Sequence, residues 1–405
     1  MVEPLAPRVY VEESETSVRT IPGVFTDVAG FVGFTKRGPY RPKLVTSFVQ
    51  FKRIFGPPMS RARRFLPYAV RGFFENGGRK AYIARVRRGA KARVAASEFI
   101  GNRKAKPSQR RGLAALADIP DISMLGLPDA AHPRVRAKAR RSILTAAVAQ
   151  CEARRDRIVF IDAPPGAHDL GRSDPAISDI TSSYVTVYGP WLEVATGKGA
   201  TTMLPPCGHV AGVYARNDIE RGVWKVPAGL NAEIRGVLGL SLTLTETELE
   251  SLTSARANAV ADFRNAGRTI VLWGARSRSD DPDWKYVNVR RLLIFIESSI
   301  YRGLQWVVFE PNGEALWANV RATVENFLFA QWQAGALQGA KPEQSFFVRC
   351  DGSTMTQNDI DNGRLVCQIG IAPIKPAEFV VIRIGLWTAK KMLAIAKSGC
   401  DQTIN

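Results

Sequence analysis

Hydrophobic and polar positions follow two different periods along this chain, and together they predict a mixed α/β protein. Apolar runs rich in β-branched residues predict strands at 24–34, 80–86, 122–128, 157–164, 184–188 and 268–273. Helical periodicity is present at 66–78, 140–155, 287–303 and 314–337. The order strand, helix, strand between 122 and 164 predicts an α/β layer with parallel strands.

Less regular segments yield further expectations. The apolar runs 210–214 and 305–310 predict two more short strands, and 345–350 with 364–371 predicts a strand pair. Thr245 and Glu248 have capping-box spacing, so a helix is expected from there to about residue 265. Two segments contain few periodic positions and are expected to be loops or linkers, namely 89–111 and 189–206.

Both ends of the chain carry a short predicted strand on a tether. The first strand contains Val9, Tyr10, Val11 and Glu12. The second follows two prolines that hold its lead-in extended, and it contains Phe379, Val380, Val381, Ile382, Arg383 and Ile384. A terminal strand that is apolar on both faces needs a sheet to enter, so the two arms predict strand donation between subunits.

Composition excludes several classes of protein. The chain has 405 residues, of which 45% are hydrophobic and 23% charged, which is typical of folded domains. No apolar run is long enough to cross a membrane, and the first residues do not resemble a secretory signal. The five cysteines are widely spaced and are expected to be reduced thiols in a cytoplasmic protein.

The net charge of +19 is concentrated between residues 61 and 111. An acidic partner, either a nucleic acid or an acidic protein surface, would explain this cluster, and so would a solvated loop with counterions. The sequence leaves both explanations open.

The sequence contains no complete catalytic or cofactor-binding motif. Gly197 and Lys198 have the dipeptide of a phosphate loop, but Leu192 stands where its first glycine is needed. Asp162 at a strand end and His168 nearby would be two members of a hydrolase triad, yet no nucleophile motif follows them. Cys350 and Cys367 lie on the predicted strand pair and are expected to be buried thiols. The sequence therefore predicts no catalytic residue, cofactor or metal site.

Several segments in order along the chain resemble the contractile tail sheath proteins of phages, R-type bacteriocins and related contractile injection systems. They are 9–13 with 21–23, 31–39, 48–56, 73–86, 284–291, 300–312 and 346–351 with 376–384. The C-terminal segments, including Phe-Glu-Pro-Asn at 309–312, carry the most specific likeness. The chain departs from the family by continuing past the last strand, from 386 to 405, in a stretch that looks like a short helix.

The resemblance implies a fold of the α/β and α+β class. A conserved inner α+β domain is built from both chain ends, an outer α/β domain with a subtilisin-like fold is inserted in it, and extended β arms lie at the termini. The expected boundaries are 1–23 for the N-terminal arm, 24–111 and 241–372 for the inner domain, 112–240 for the insert, and 373–405 for the C-terminal arm and tail.

The same resemblance implies a structural subunit and not an enzyme. Its expected partners are copies of itself in stacked rings, an inner tube protein, a baseplate, and terminator or cap proteins, with no membrane insertion and no direct nucleic acid. The expected location is a virion tail or contractile particle assembled in the bacterial cytoplasm. The family also implies a tube-facing helix, which makes Arg321 and Lys341 candidates for that contact, with the 61–111 cluster a weaker candidate. A basic nucleic-acid-binding protein and a degenerate hydrolase remain the alternative interpretations.

Overall fold

The computed structural model of the protein describes residues 19–58, 64–86, 94–166, 168–169, 174–197 and 199–378. Its strands, in chain order, are β1 (Val28–Gly33), β2 (Lys43–Val45), β3 (Lys80–Arg85), β4 (Met124–Gly126), β5 (Ile158–Asp162), β6 (Val185–Gly189), β7 (Leu192–Gly197), β8 (Ala200–Leu204), β9 (Gly239–Leu240), β10 (Asn258–Asp262), β11 (Ile270–Trp273), β12 (Phe346–Arg349) and β13 (Gln368–Ile371).

The helices complete the list. They are α1 (Phe48–Phe55), α2 (Leu66–Glu75), α3 (Ala96–Ile100), α4 (Gly112–Leu116), α5 (Ala137–Arg154), α6 (Cys207–Arg221), α7 (Glu246–Ser254), α8 (Val287–Gly303), α9 (Glu314–Gln333), α10 (Pro342–Ser345) and α11 (Gln357–Asp361). Among the described residues, none of these helices combines the length and apolarity needed to span a membrane.

The main feature of the fold is an eight-stranded sheet with the order β11-β10-β6-β5-β4-β1-β3-β2. The six inner strands pair in parallel, and antiparallel strands β11 and β2 close the two edges. Every residue of β1 and β5 is buried, as expected for strands covered on both faces. The predicted α/β layer with parallel strands is therefore confirmed.

Helices cover this sheet through the apolar faces that their sequences predict. α5 buries Ile143, Leu144, Ala147 and Val148, which confirms the predicted stripe. α2 and α6 pack closely because a glycine lies at their contact. A Cβ at Gly208 of α6 would overlap the backbone of Ala69 of α2.

The strand order shows which neighbours the first part of the chain has. β1, β2 and β3, from the segment 24–111, lie in one sheet with β4, β5 and β6 from 112–240. The residues just before β1 contact α8, where Ser299 accepts a hydrogen bond from the N–H of Val24. Hydrophobic periodicity reveals that a segment is a strand, but parallel pairing joins strands that are distant in sequence, so the neighbour of a strand is not encoded locally.

The C-terminal part builds a second core around α8 and α9. α8 has the predicted bounds, and α9 begins at the predicted residue and ends four residues early. Leu292 and Ile296 of α8 pack with Val324 and Leu328 of α9, and Ile21 from the N-terminal side joins them. β12 and β13 form the predicted antiparallel pair beside this core.

Two predictions of strand or loop around α6 were wrong. The run 210–214 lies inside α6, whose middle is buried on all sides and so lacks a polar face to reveal its helical period. The segment 189–206 contains the β7–β8 hairpin. The segment is rich in threonine and glycine, a composition typical of loops, but its residues pair as two antiparallel strands.

Three further predictions need correction. α7 has the predicted capping box, since Thr245 and Glu248 exchange hydrogen bonds, but it ends at Ser254 and the chain returns as β10. The segment 305–310 forms a 3-10 turn and a β-turn instead of a strand. The predicted linker 89–111 contains α3, which is anchored by the buried Phe99.

Candidate functional site

Asp162 lies at the carboxyl end of β5, and the structure gives it a structural role. Its Oδ1 accepts a hydrogen bond of 2.7 Å from the backbone N–H of Cys207, the first residue of α6. Burial raises the pKa of Asp162 to about 7, while the hydrogen bonds from Cys207 act in the opposite direction. Asp162 thus holds the N-terminus of a buried helix against the sheet.

His168 contacts a different part of the chain from Asp162. It is exposed, and its Nδ1 lies 2.5 Å from Oε1 of Glu248 in the first turn of α7. Hydrogen bonds from Thr245 lower the pKa of Glu248, and His168 contributes less to the shift. Asp162 and His168 therefore have different partners, and the described geometry does not assemble them into a hydrolase dyad.

Asp129 is a second buried carboxylate, which the sequence analysis missed. It accepts three backbone hydrogen bonds, from the N–H of Phe34 at 2.7 Å, Phe65 at 2.7 Å and Leu66 at 3.2 Å. Burial raises its pKa to about 6, and these three hydrogen bonds oppose the rise. The position of Asp129 just after β4 was the available signal, because strand-end carboxylates often anchor loops.

His209 is also buried, on α6. Neither ring nitrogen has a hydrogen-bond partner, and burial lowers its pKa to about 3, so the ring is neutral. It packs against Gly72 of α2, where any side chain would overlap the ring. Among the described residues, no group of histidine, cysteine and carboxylate side chains could hold a metal ion.

The β12–β13 pair is a partly exposed element of the described structure. It forms a separate two-stranded sheet in which Phe346 faces Ile371 and Arg349 faces Gln368. Val348 is buried against α9, whereas Phe347 and Ile369 are exposed. Two strands alone make a marginal sheet, and their outer edges carry unpaired backbone groups.

Cys350 and Cys367 continue the same strand pair by one position. The register that pairs Arg349 with Gln368 brings these cysteines opposite each other, and their thiols are hydrogen bonded and free of a disulfide. Cys350 is buried and Cys367 is half-buried. Burial is the largest cause that raises the pKa of Cys367 to about 12, so its reactive thiolate is scarce.

The two tube-facing candidates lie on α9 and just before α10. Arg321 is half-buried on α9 and contributes to lowering the pKa of Asp351, although hydrogen bonds from Ser353 dominate that shift. Lys341 is exposed and precedes α10, which packs against α9. Arg321 lies in the first half of α9, near Asp351, whereas Lys341 follows the end of α9 and is the more accessible of the two.

The basic cluster is partly engaged in intramolecular contacts. Arg85 and Arg111 both stack on the ring of Tyr40, and Arg110 forms an ion pair with Asp118. Part of the cluster lies outside the described residues. So do both predicted arm strands, 9–12 and 379–384.

These features define a class of protein before any comparison. The buried carboxylates serve as anchors for helices and loops, and the described surface offers an open strand pair. The described part of the chain is therefore an α/β protein whose buried carboxylates have structural partners and which carries a separate two-stranded sheet.

Comparison with known proteins identifies the family to which the chain is similar. Residues 112–278 match the family model for the phage tail sheath protein central domain, and 279–386 match the model for the phage tail sheath C-terminal domain. The helical sheath of the anti-feeding prophage in its contracted state is 30% identical, with a TM-score of 0.74, over 95% of this chain and 99% of that chain. The contracted sheath of the extracellular contractile injection system PVC is 26% identical, with a TM-score of 0.73, over 96% and 100%.

Curated sequences agree. The tail sheath protein of Enterobacteria phage T4 is 24% identical over 181 residues, which are 44% of this chain and 26% of that protein. A putative prophage major tail sheath protein of Pseudomonas aeruginosa is 26% identical over 185 residues, 44% of this chain and 45% of its own length. This chain thus spans less than half of the curated relatives that it matches.

The chain belongs to the contractile tail sheath family. The resemblance seen in the sequence is thereby confirmed.

Proposed function

We propose that copies of this chain assemble into a helical sleeve around an inner tube, and that the sleeve shortens to drive the tube through a target envelope. The observation that carries this proposal is the 30% identity to a contracted helical sheath over 95% of the chain. The partners would be the chain itself, an inner tube protein, a baseplate, and terminator or cap proteins. The location would be a virion tail or contractile particle, assembled in the bacterial cytoplasm.

The domain plan follows from the strand order. We infer that the eight-stranded sheet with its helices forms the outer domain that the resemblance describes as subtilisin-like, and that it includes β1 to β3. The inner domain would then comprise α8, α9 and the β12–β13 pair, with Ile21 reaching it from the N-terminal side. Asp162 and Asp129 would act only as anchors of this fold, so no catalytic step is assigned to the chain.

The β12–β13 sheet is the proposed receiver of the terminal arms. It has two open edges and two exposed apolar side chains, Phe347 and Ile369. The strands at 9–12 and 379–384 have the β-branched, apolar pattern that such edges accept. Arms from neighbouring subunits would extend the two-stranded sheet and link the subunits by backbone hydrogen bonds. This linkage would persist while the domains move against one another.

The inner tube is the proposed partner of Arg321 and Lys341. A sleeve has to hold its tube before contraction and release it afterwards, which favours small, polar, salt-sensitive contacts. An exposed lysine and a half-buried arginine on the inner domain would suit that requirement, with acidic groups on the tube. The basic cluster at 61–111 is the weaker candidate, because several of its described members already have partners. The comparisons lend no support to a nucleic-acid-binding function.

Expression of the full chain with its tube protein tests the function directly. Negative-stain electron microscopy is expected to show striated sleeves of regular pitch. An acid or urea pulse should convert long, narrow sleeves to short, wide ones, because contraction releases energy stored in a metastable lattice. Only monomers or closed rings, over a range of concentrations and with the tube present, would contradict the proposal.

Charge reversal tests the tube contact. The double variant Arg321→Glu and Lys341→Glu is expected to reduce co-sedimentation with the tube by about tenfold or more at low salt, since two attractive pairs become repulsive. Assembly of the sheath without tube should change by less than twofold. Lys138→Glu with Arg268→Glu, two exposed residues on α5 and just before β11, is the matched control. Equal loss with and without tube, independent of salt, would place these residues in the sheath lattice instead.

A further inference from the structure

The turn between α8 and α9 holds an aromatic side chain in an unusual position. The N–H of Glu310 donates a hydrogen bond of 3.1 Å to the carbonyl of Val307, which closes a four-residue turn. Val308 has φ −67° and ψ 125°, and Phe309 has φ +74°. These angles define a type II turn, whose third position favours glycine because a side chain there is strained. Here that position is occupied by phenylalanine.

The strain does not serve the core of the subunit. Phe309 is 101% exposed and Val308 is 59% exposed, so neither side chain packs within the chain. A bulky residue with positive φ is a genuine outlier, and exposure of a whole phenyl ring is costly in water. Two unfavourable features at one residue indicate that its contact lies on another molecule. Glu310, also exposed, places a negative charge beside the ring.

A groove on the same chain has the matching character. It has a volume of about 360 Å³ and lies between residues 24–26, the end of α5 and α8. Its floor includes Ile122 and Phe295, and Arg155 lies exposed at its rim. Phe25 and Tyr301 line it, and they are 62% and 71% exposed. Among the described residues, Phe309, Tyr301 and Phe25 are the three most exposed aromatic side chains.

We propose that the turn at 307–310 of one subunit inserts Phe309 into the Phe25–Tyr301 groove of a second copy of this chain. The partner is assigned to a copy because the chain carries both an exposed ring, with Glu310 beside it, and a groove in which aromatic side chains lie among charged ones that include Arg155. A contact between two different surfaces of the same chain repeats from copy to copy, and it gives a helical array when the rotation does not close into a ring. That geometry matches a sleeve, so this inference rests on the function proposed above.

Site-specific photocrosslinking tests the contact. p-Benzoyl-phenylalanine is incorporated at position 309, sleeves are assembled and irradiated, and the crosslinked peptides are identified by mass spectrometry. The expected crosslinks join position 309 to peptides that contain 120–123, 154–156 or 294–302 of another subunit. Crosslinks to the tube protein, to the arms or to a different sheath surface would overturn the proposal, and so would sleeves that give no crosslink.

Substitutions give an independent readout. Phe309→Gly is expected to lower the fraction of chain in sleeves at least tenfold while leaving the thermal midpoint of the monomer unchanged or higher, because glycine relieves the positive φ. Tyr301→Ala should cause a similar loss, and the double variant little more than either alone. Val49→Ala is the control. Val49 lies on α1 and is as exposed as Tyr301, and the variant should assemble normally.

The outcomes separate this contact from the sheath function. If the Phe309→Gly chain assembled like wild type, the contact would be wrong and the sheath function would stand. If the wild-type chain formed no sleeves under any condition, the proposed function would fail, and the contact with it.

Discussion

Removal of either terminal arm is expected to leave a folded subunit that forms no sleeves. Deletion of residues 1–20 stops just before Ile21, which belongs to the C-terminal core, so the fold should survive. A chain that ends after residue 377 loses the strand at 379–384. Each arm strand would contribute several backbone hydrogen bonds at about 1 kcal/mol each, plus its apolar burial, so the loss of one arm should abolish assembly. Sedimentation and electron microscopy measure the assembled fraction, and circular dichroism reports the fold.

The C-terminus offers a matched control. A chain that ends after residue 385 keeps the proposed donor strand and loses only residues 386–405. It should form sleeves of normal pitch. Normal sleeves from the chain that ends at 377, or from the chain without 1–20, would rule out strand donation by that arm.

Replacement of Asp129 by alanine is expected to have the largest effect on the stability of the subunit itself. The substitution removes the acceptor of three buried backbone N–H groups, from Phe34, Phe65 and Leu66. At about 1–2 kcal/mol for each unsatisfied donor, the loss is about 3–6 kcal/mol, a large share of the stability of a typical domain. Urea denaturation followed by tryptophan fluorescence measures it.

Asp118→Ala is the control for this experiment. Asp118 is a partly exposed carboxylate paired with Arg110, and loss of such a surface pair costs at most about 1 kcal/mol. A similar small effect for Asp129→Ala would mean that water or a rearranged loop satisfies the three donors, and that Asp129 does not anchor the first strand and α2.

The sequence was most informative where a segment's own pattern decides its structure. α8 and β12–β13 were predicted with nearly correct bounds, and the stripe on α5 was predicted residue by residue. The capping box of Thr245 and Glu248 was predicted from spacing alone. In each case the signal is local, because the residues that form the pattern lie close together in the sequence.

Prediction failed where the environment decides. α6 resembled a strand because it is buried on all sides, and 305–310 resembled a strand because its residues are β-branched and aromatic. Neither the burial of α6 between α2 and the sheet nor the strained turn at Phe309 is a property of the local sequence. Asp129 was missed for the same reason, since its three donors come from residues 63 to 95 positions away.

By itself, the sequence determined the secondary-structure class, most of the helices and strands, and membership of the contractile tail sheath family, because periodicity and short motifs are local. Only the tertiary structure decided that the strands of 28–85 share one sheet with the central strands. It also decided that Asp162 and His168 have separate partners, and that the side chain of Phe309 is fully exposed instead of buried in a core. The physical reason is that strand order, burial and the pairing of polar groups depend on contacts between residues far apart in the chain, and such contacts leave no local pattern.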